Sequence, residues 1–140
     1  MQLQNHHSGL IYAMVLAAAA DGQVRESELW TIDETMMVLP IFKDFQRANF
    51  GAIAGACVEL LSEEDGIDAA IGLIQGSLPP RLYATAYALA CDVVAVDGVA
   101  TQEELRLLEM MRHQLDIDRL TAAAIERGAA ARFARLPDNI

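Results

Sequence analysis

Asp21 and Glu28, and again Asp97 and Glu104, are the side chains of this chain best suited to hold a cation. The stretch Asp21-Gly22-Gln23-Val24-Arg25-Glu26-Ser27-Glu28-Leu29 returns as Asp97-Gly98-Val99-Ala100-Thr101-Gln102-Glu103-Glu104-Leu105. Both copies read Asp-Gly, a variable residue, a small apolar residue, three variable residues, then Glu-Leu. Carboxylates, together with free carbonyls at a helix end, are the hard oxygen ligands that Ca²⁺ or Mg²⁺ prefers. The spacing is not that of a calcium EF-hand, whose loop needs acids at alternate positions ahead of its Gly. A single copy is a weak signal, whereas two copies that converge in space pool four carboxylates. Asp92 adds a fifth, from the otherwise apolar stretch Ala90 to Val94. A carboxylate in such surroundings is expensive unless it finds donors or a cation. Its counterpart in the first copy is Leu16, so the repeat itself does not demand an acid there.

A purely structural reading competes with the ion site. An Asp at a helix C-terminus faces the negative end of the macrodipole, at a cost of about 0.3–1 kcal/mol at an exposed site. It offsets that cost by accepting amides of its own loop or of the next helix start. Thr101 and Glu104 fit a capping box, and Glu28 stands at the same third position in the first copy. Asp92 can likewise bond to the first acidic turn across a pseudo-twofold. Acidic turns cap more often than they bind, and the residues alone leave both readings open.

The elements that must position these acids are helices. Gly9 to about Ala20 reads as the first, closed at Asp21-Gly22, where Gly takes the left-handed conformation. The second spans about Glu26 to Val38 and stops before Pro40, with Leu29, Ile32, Met36 and Leu39 as its apolar stripe. The third covers about Gln46 to Leu61, with Phe50, Ile53, Cys57 and Leu60 on one face. Ser62 reads as the N-cap of a fourth helix that carries acids in its first turn and reaches about Gln75. The fifth starts near Pro80 and continues to Val96, with Tyr83, Tyr87, Ala90 and Val94 toward the core. Thr101 opens a sixth, to about Gln114, and Asp118 caps a seventh that ends before Pro137. No stretch alternates as a half-buried strand does. The expected fold is all-α, a compact bundle of about seven helices with an internal pseudo-twofold repeat. It occupies 9–136 as one domain, between a flexible segment at 1–8 and a tail at 137–140.

Composition narrows the function. At 140 residues, 54% of them hydrophobic, the chain can bury a core without staples. Its net charge is −10, with Lys43 the single lysine among ten basic residues. Nucleic-acid binding is disfavoured, because it depends on neutralising phosphates with cations. The apolar run Leu10 to Ala20 is about half a membrane span and lacks a basic leader, so neither a span nor a signal peptide is expected. Cys57 and Cys91 stand alone in helical patterns, as reduced cytoplasmic thiols do. His6, His7 and His113 show no paired spacing for zinc. Met36, Met37, Met110 and Met111 read as soft packing. Trp30, the only tryptophan, is a candidate anchor for a protein partner. Arg132 and Arg135 make the last helix locally basic, and docking onto the acidic turns of another copy is one use for them.

At the two acidic motifs the chain resembles the tellurite-resistance TerB-like family of small helical bacterial domains. The carrying residues are Ala19-Ala20-Asp21-Gly22 with Glu28, and Ala95-Val96-Asp97-Gly98 with Glu104. The resemblance extends from about Leu10 to Leu115, and Leu115-Asp116-Ile117-Asp118 looks like the usual exit from the second motif. It implies a bundle of about seven helices with an acidic patch, association with tellurite and other stress resistance, and no established enzymatic activity. Metal binding and membership of membrane-linked complexes have been proposed for such domains. Carried over residue by residue, the site is Asp21 and Glu28, then Asp97 and Glu104, with Asp92 matching an acid found about one turn before the second motif. Arg25 departs from the pattern by standing where Thr101 caps the second copy. The scarcity of lysine weakens any direct attraction to anionic lipid.

The expectation is therefore a non-catalytic cytoplasmic binding module. It takes a divalent cation, a protein partner or a second copy of itself through the acidic turns. A metal-dependent hydrolase using the same carboxylates is the alternative. That enzyme would call for a His, Lys or Arg poised in the cluster, and Arg25 is the nearest in sequence.

Overall fold

A computed structural model describes residues 5–137. Among them are seven α-helices: α1 His6–Ala19, α2 Glu26–Val38, α3 Phe50–Leu61, α4 Gly66–Ser77, α5 Tyr83–Ala95, α6 Gln102–Gln114 and α7 Arg119–Arg132. Single 3-10 turns at Pro40–Phe42, Arg47–Asn49 and Pro80–Leu82 precede α3 and α5. The described residues contain no strand.

The architecture is that of a repeated three-helix unit around a central pair. Every residue of α1 from Leu10 to Ala18 is buried, because the helix is apolar all round and is covered on all sides. It packs most extensively on α5, and also on α3, α4 and α2. In turn α5 carries α6 and α7. Thus α1, α2 and α3 correspond to α5, α6 and α7, with α4 set against α1, α3 and α6. The two central helices end alike. Gly22 and Gly98 have φ of 82° and 80°, and their amides bond the carbonyls of Ala19 and Ala95 at 3.0 and 2.9 Å. Only Gly takes that conformation at little cost, which explains the Asp-Gly pair at both turns.

Several boundaries differ from expectation for local reasons. The first helix begins at His6, capped by Asn5, whose Oδ1 accepts the Ser8 amide at 3.1 Å. Residues 6–8 are therefore helical rather than part of a flexible segment; residues 1–4 and 138–140 lie outside the described residues. Ser62 closes α3 instead of opening α4: its hydroxyl donates to the Glu59 carbonyl at 2.7 Å. The start of α4 falls to Asp65, at φ 58°, and Gly66. On α2 the buried residues are Glu28, Thr31, Ile32 and Met36, whereas Leu29 is half exposed, because this helix packs on α1 and α5 with Glu28 turned inward. The caps at Thr101 and Asp118 are as expected, accepting the Glu104 amide at 3.2 Å and the Thr121 amide at 2.9 Å.

Gly66 sets the approach of α4 to α3. A Cβ there would lie 2.3 Å from the Leu60 carbonyl oxygen and 3.0 Å from Leu61 Cα, both backbone atoms that cannot rotate away. Gly66→Ala is expected to destabilise the fold by about 1–3 kcal/mol, the usual range for overpacking. Urea unfolding measures it, and an unchanged midpoint would show that the α3–α4 connection yields.

Candidate functional site

Both acidic turns lie at the same end of the α1–α5 pair and meet across it. The guanidinium of Arg25 stands between them. Its Nη2 lies 3.0 Å from Asp21 Oδ2, its Nη1 3.7 Å from Glu28 Oε2, and its Nε 3.9 Å from Asp97 Oδ2. Ser27 donates its hydroxyl to Asp97 Oδ1, a second link from the first turn to the second. Asp21, Glu28 and Asp97 are thus brought together, and Glu104 is close enough to act electrostatically on Glu28 and Arg25.

The two copies solve the same local problem differently. In the second, Thr101 Oγ1 accepts the Glu104 amide and Glu104 Oε1 accepts the Thr101 amide at 2.7 Å, so the box is closed. In the first, Glu28 Oε1 accepts the Arg25 amide at 2.8 Å, but a guanidinium has no acceptor to return. The Glu28 amide turns to the Arg25 carbonyl at 3.1 Å instead. The side chain freed from capping reaches over the carboxylates. Asp21 bonds its own loop, accepting the Gln23 amide at 3.0 Å, whereas Asp97 is satisfied across the pseudo-twofold by Ser27.

Glu28 is the unusual member. It is fully buried, and its Oε2 has no hydrogen-bond partner among the described residues. Burial pushes its carboxyl up to about 7, and the charges of Glu104 and Asp97 add to the rise. The Arg25 amide and guanidinium oppose it. Asp21 shifts the other way, held below the ordinary carboxylate range first by the Gln23 amide and then by Arg25. The Arg25 guanidinium is itself raised, chiefly by its bond to Asp21.

The remaining candidates sit elsewhere. Asp92 does not reach the first turn; it pairs with Arg132 of α7. Arg135 donates from Nη2 to the Val96 carbonyl at 2.9 Å, and its aliphatic stem lies beside Gly98. Arg135 therefore clasps the second acidic turn of its own chain, while Arg132 ties α7 to α5 through Asp92. Trp30 lies on α2, 58% exposed, with half-exposed Leu29 beside it. His7 bonds the Ile41 carbonyl and packs on Phe42 and Phe45 at the far end of α1 from Asp21, about 20 Å along the helix. Burial raises the Cys57 and Cys91 thiols to about 12, so both are inert packing groups.

As they stand, no three His, Cys, Asp or Glu side chains among the described residues are grouped to hold a metal ion. The five acids picked out in the sequence divide into a centre around Arg25 and a separate Asp92–Arg132 pair. Sequence reasoning missed Arg25 as the hub and Ser27 as the bridge. The signal was present: a residue without an acceptor occupies a capping position. No helix among the described residues is long and apolar enough to cross a membrane. Compared with protein-family models, with curated proteins and with solved structures, the chain matches none.

Proposed function

We propose that this chain is a non-catalytic binding module of the TerB-like kind, in a bacterial stress response, and that its acidic centre takes a cation. In the free chain the guanidinium of Arg25 fills that role. A divalent ion, Ca²⁺ or Mg²⁺, takes its place when the side chain swings out, with Asp21, Glu28 and Asp97 supplying hard oxygen ligands. The observation that carries this reading is the unpartnered, fully buried Oε2 of Glu28 beside a cation held on three sides by carboxylates. The Arg25 side chain is 37% exposed, so it has a path to solvent. Trp30, exposed on the face of α2 away from the buried Glu28, offers an aromatic contact for a protein partner. A hydrolase has less to support it. Arg25, the cation such an enzyme would aim at a substrate, is committed to three carboxylates, and His7 and His113 stand at the opposite ends of α1 and α6.

Calorimetric titration of chelator-treated protein with Ca²⁺ and with Mg²⁺ tests the reading. Saturable binding is expected in the native chain, about tenfold tighter in Arg25→Ala and absent in an Asp21→Asn, Asp97→Asn variant. Absence of binding in both the native chain and Arg25→Ala would reject the ion and leave the acids as structural partners of Arg25.

A further inference from the structure

The repeat makes a comparison possible between two clefts, one in each half. On α6, Leu105, Leu108, Glu109 and Arg112 line a cleft of about 770 Å³ whose floor is α5 and whose far wall is α7. Their counterparts 76 residues earlier, Leu29, Ile32, Asp33 and Met36 of α2, line a cleft of only about 300 Å³. The difference has a cause in chain length. Residues 39–49 join α2 to α3, whereas residues 115–118 alone join α6 to α7. The longer connection brings Arg47 and Phe50 against the first cleft, where Arg47 pairs with Asp33. Among the described residues after α6, the second cleft is lined by an aromatic and a cation only from the end of α7, Phe133 and Arg135, and these leave it more than twice as large, with Arg135 turned to the Val96 carbonyl. Between Glu126 and Phe133 the α7 wall presents Ala129 and Ala130, side chains too short to fill the gap, and Glu109 has no ion-pair partner among the described residues.

We infer that the cleft between α6 and α7 is a docking site for a segment of another protein carrying a cation and an aromatic side chain three residues apart. The first half shows what such a segment must supply, because Arg47 and Phe50 do the same for the matching surface. The aromatic ring covers the Leu105 and Leu108 face, and the cation meets Glu109 as Arg47 meets Asp33. Arg112, standing where the first half has Met36, adds a donor for a carbonyl or carboxylate of the incoming backbone. A net charge of −10 favours a basic partner. The cleft borders the second acidic turn from Asp97 to Ala100 but is not lined by Asp21, Arg25, Glu28 or Glu104, so the inference stands or falls apart from ion binding.

A synthetic peptide spanning this chain's own residues 39–52 is the probe, titrated into ¹⁵N-labelled full-length protein and followed by NMR. Saturable shifts are expected at the amides of Leu105, Leu108, Ala129 and Ala130. Ala130→Trp, which plugs the cleft from an exposed position, is expected to abolish them. Glu109→Arg, a surface change that leaves the core intact, should weaken binding by about threefold to tenfold, the scale of a reversed exposed ion pair. A peptide with alanine in place of Arg47 and Phe50 should not bind. Shifts that persist in both protein variants, or an alanine peptide that binds equally well, would overturn the inference. So would the same amides shifting with protein concentration alone, which would give the cleft to a second copy.

Discussion

Replacing Arg25 by alanine lowers the melting temperature by several degrees at low ionic strength, and the loss shrinks as salt is added. Arg25 faces Asp21, Glu28 and Asp97, and its removal leaves three carboxylates around a space with no counter-charge. The buried Glu28 loses the cation that stands near its unpartnered oxygen. Removing one member of a buried charge set is harmful because the others remain desolvated and repel one another. Salt at about 1 M brings the Debye length to about 3 Å and weakens that repulsion. Arg25→Lys recovers only part of the loss, since a single ammonium on a flexible stem cannot bond several carboxylates as a planar fork does. Circular dichroism melts at two ionic strengths check the prediction. Equal melting temperatures for native and alanine proteins would mean that the acids are already satisfied without Arg25.

The second large effect is a pH dependence carried by Glu28. Its carboxyl sits at about 7 in the fold against an ordinary 4.5, first because it is buried. A group whose folded pKa is raised favours the native state fully below about pH 4.5, and that contribution is lost as the pH rises through about 7. At 1.36 kcal/mol per unit the bound is about 3 kcal/mol. Screening through half-exposed Arg25 and Asp97 reduces it to about 1–2 kcal/mol. Glu28→Gln keeps the acceptor for the Arg25 amide and abolishes the charge. At pH 8 it is expected to melt about 3–8 °C above the native protein, with the two converging near pH 5. His6, lowered by burial, acts in the opposite direction in this window, but it is common to both proteins and cancels in the difference. Asp21 titrates below the window. A difference independent of pH would assign the effect of the substitution to packing instead of to ionisation.

Helices, fold class and the paired turns were legible because their determinants are local. Gly22 and Gly98 close helices, Pro40 stops one, and Thr101 with Glu104 opens another within four residues. Ser62 was misread for an equally local reason: a hydroxyl followed by acids suits either end of a helix, and the backbone decides which. The assembly of the site was less legible. Arg25 meets Asp97, and Asp92 meets Arg132, across distances in sequence that periodicity does not encode. The seven-residue excess of the first connection over the second can be counted from the helix bounds, yet its consequence for the cleft emerges only when α3 and α7 are in place.

The two acidic turns act as one electrostatic centre, and the most direct check is the titration of Glu28 itself, followed at its carboxyl carbon by ¹³C NMR. The native protein should give a midpoint near 7, and Asp97→Asn a lower one, because the Asp97 charge adds to the rise. A midpoint near 4.5 in both proteins would contradict the account, leaving two independent turns that happen to carry the same residues.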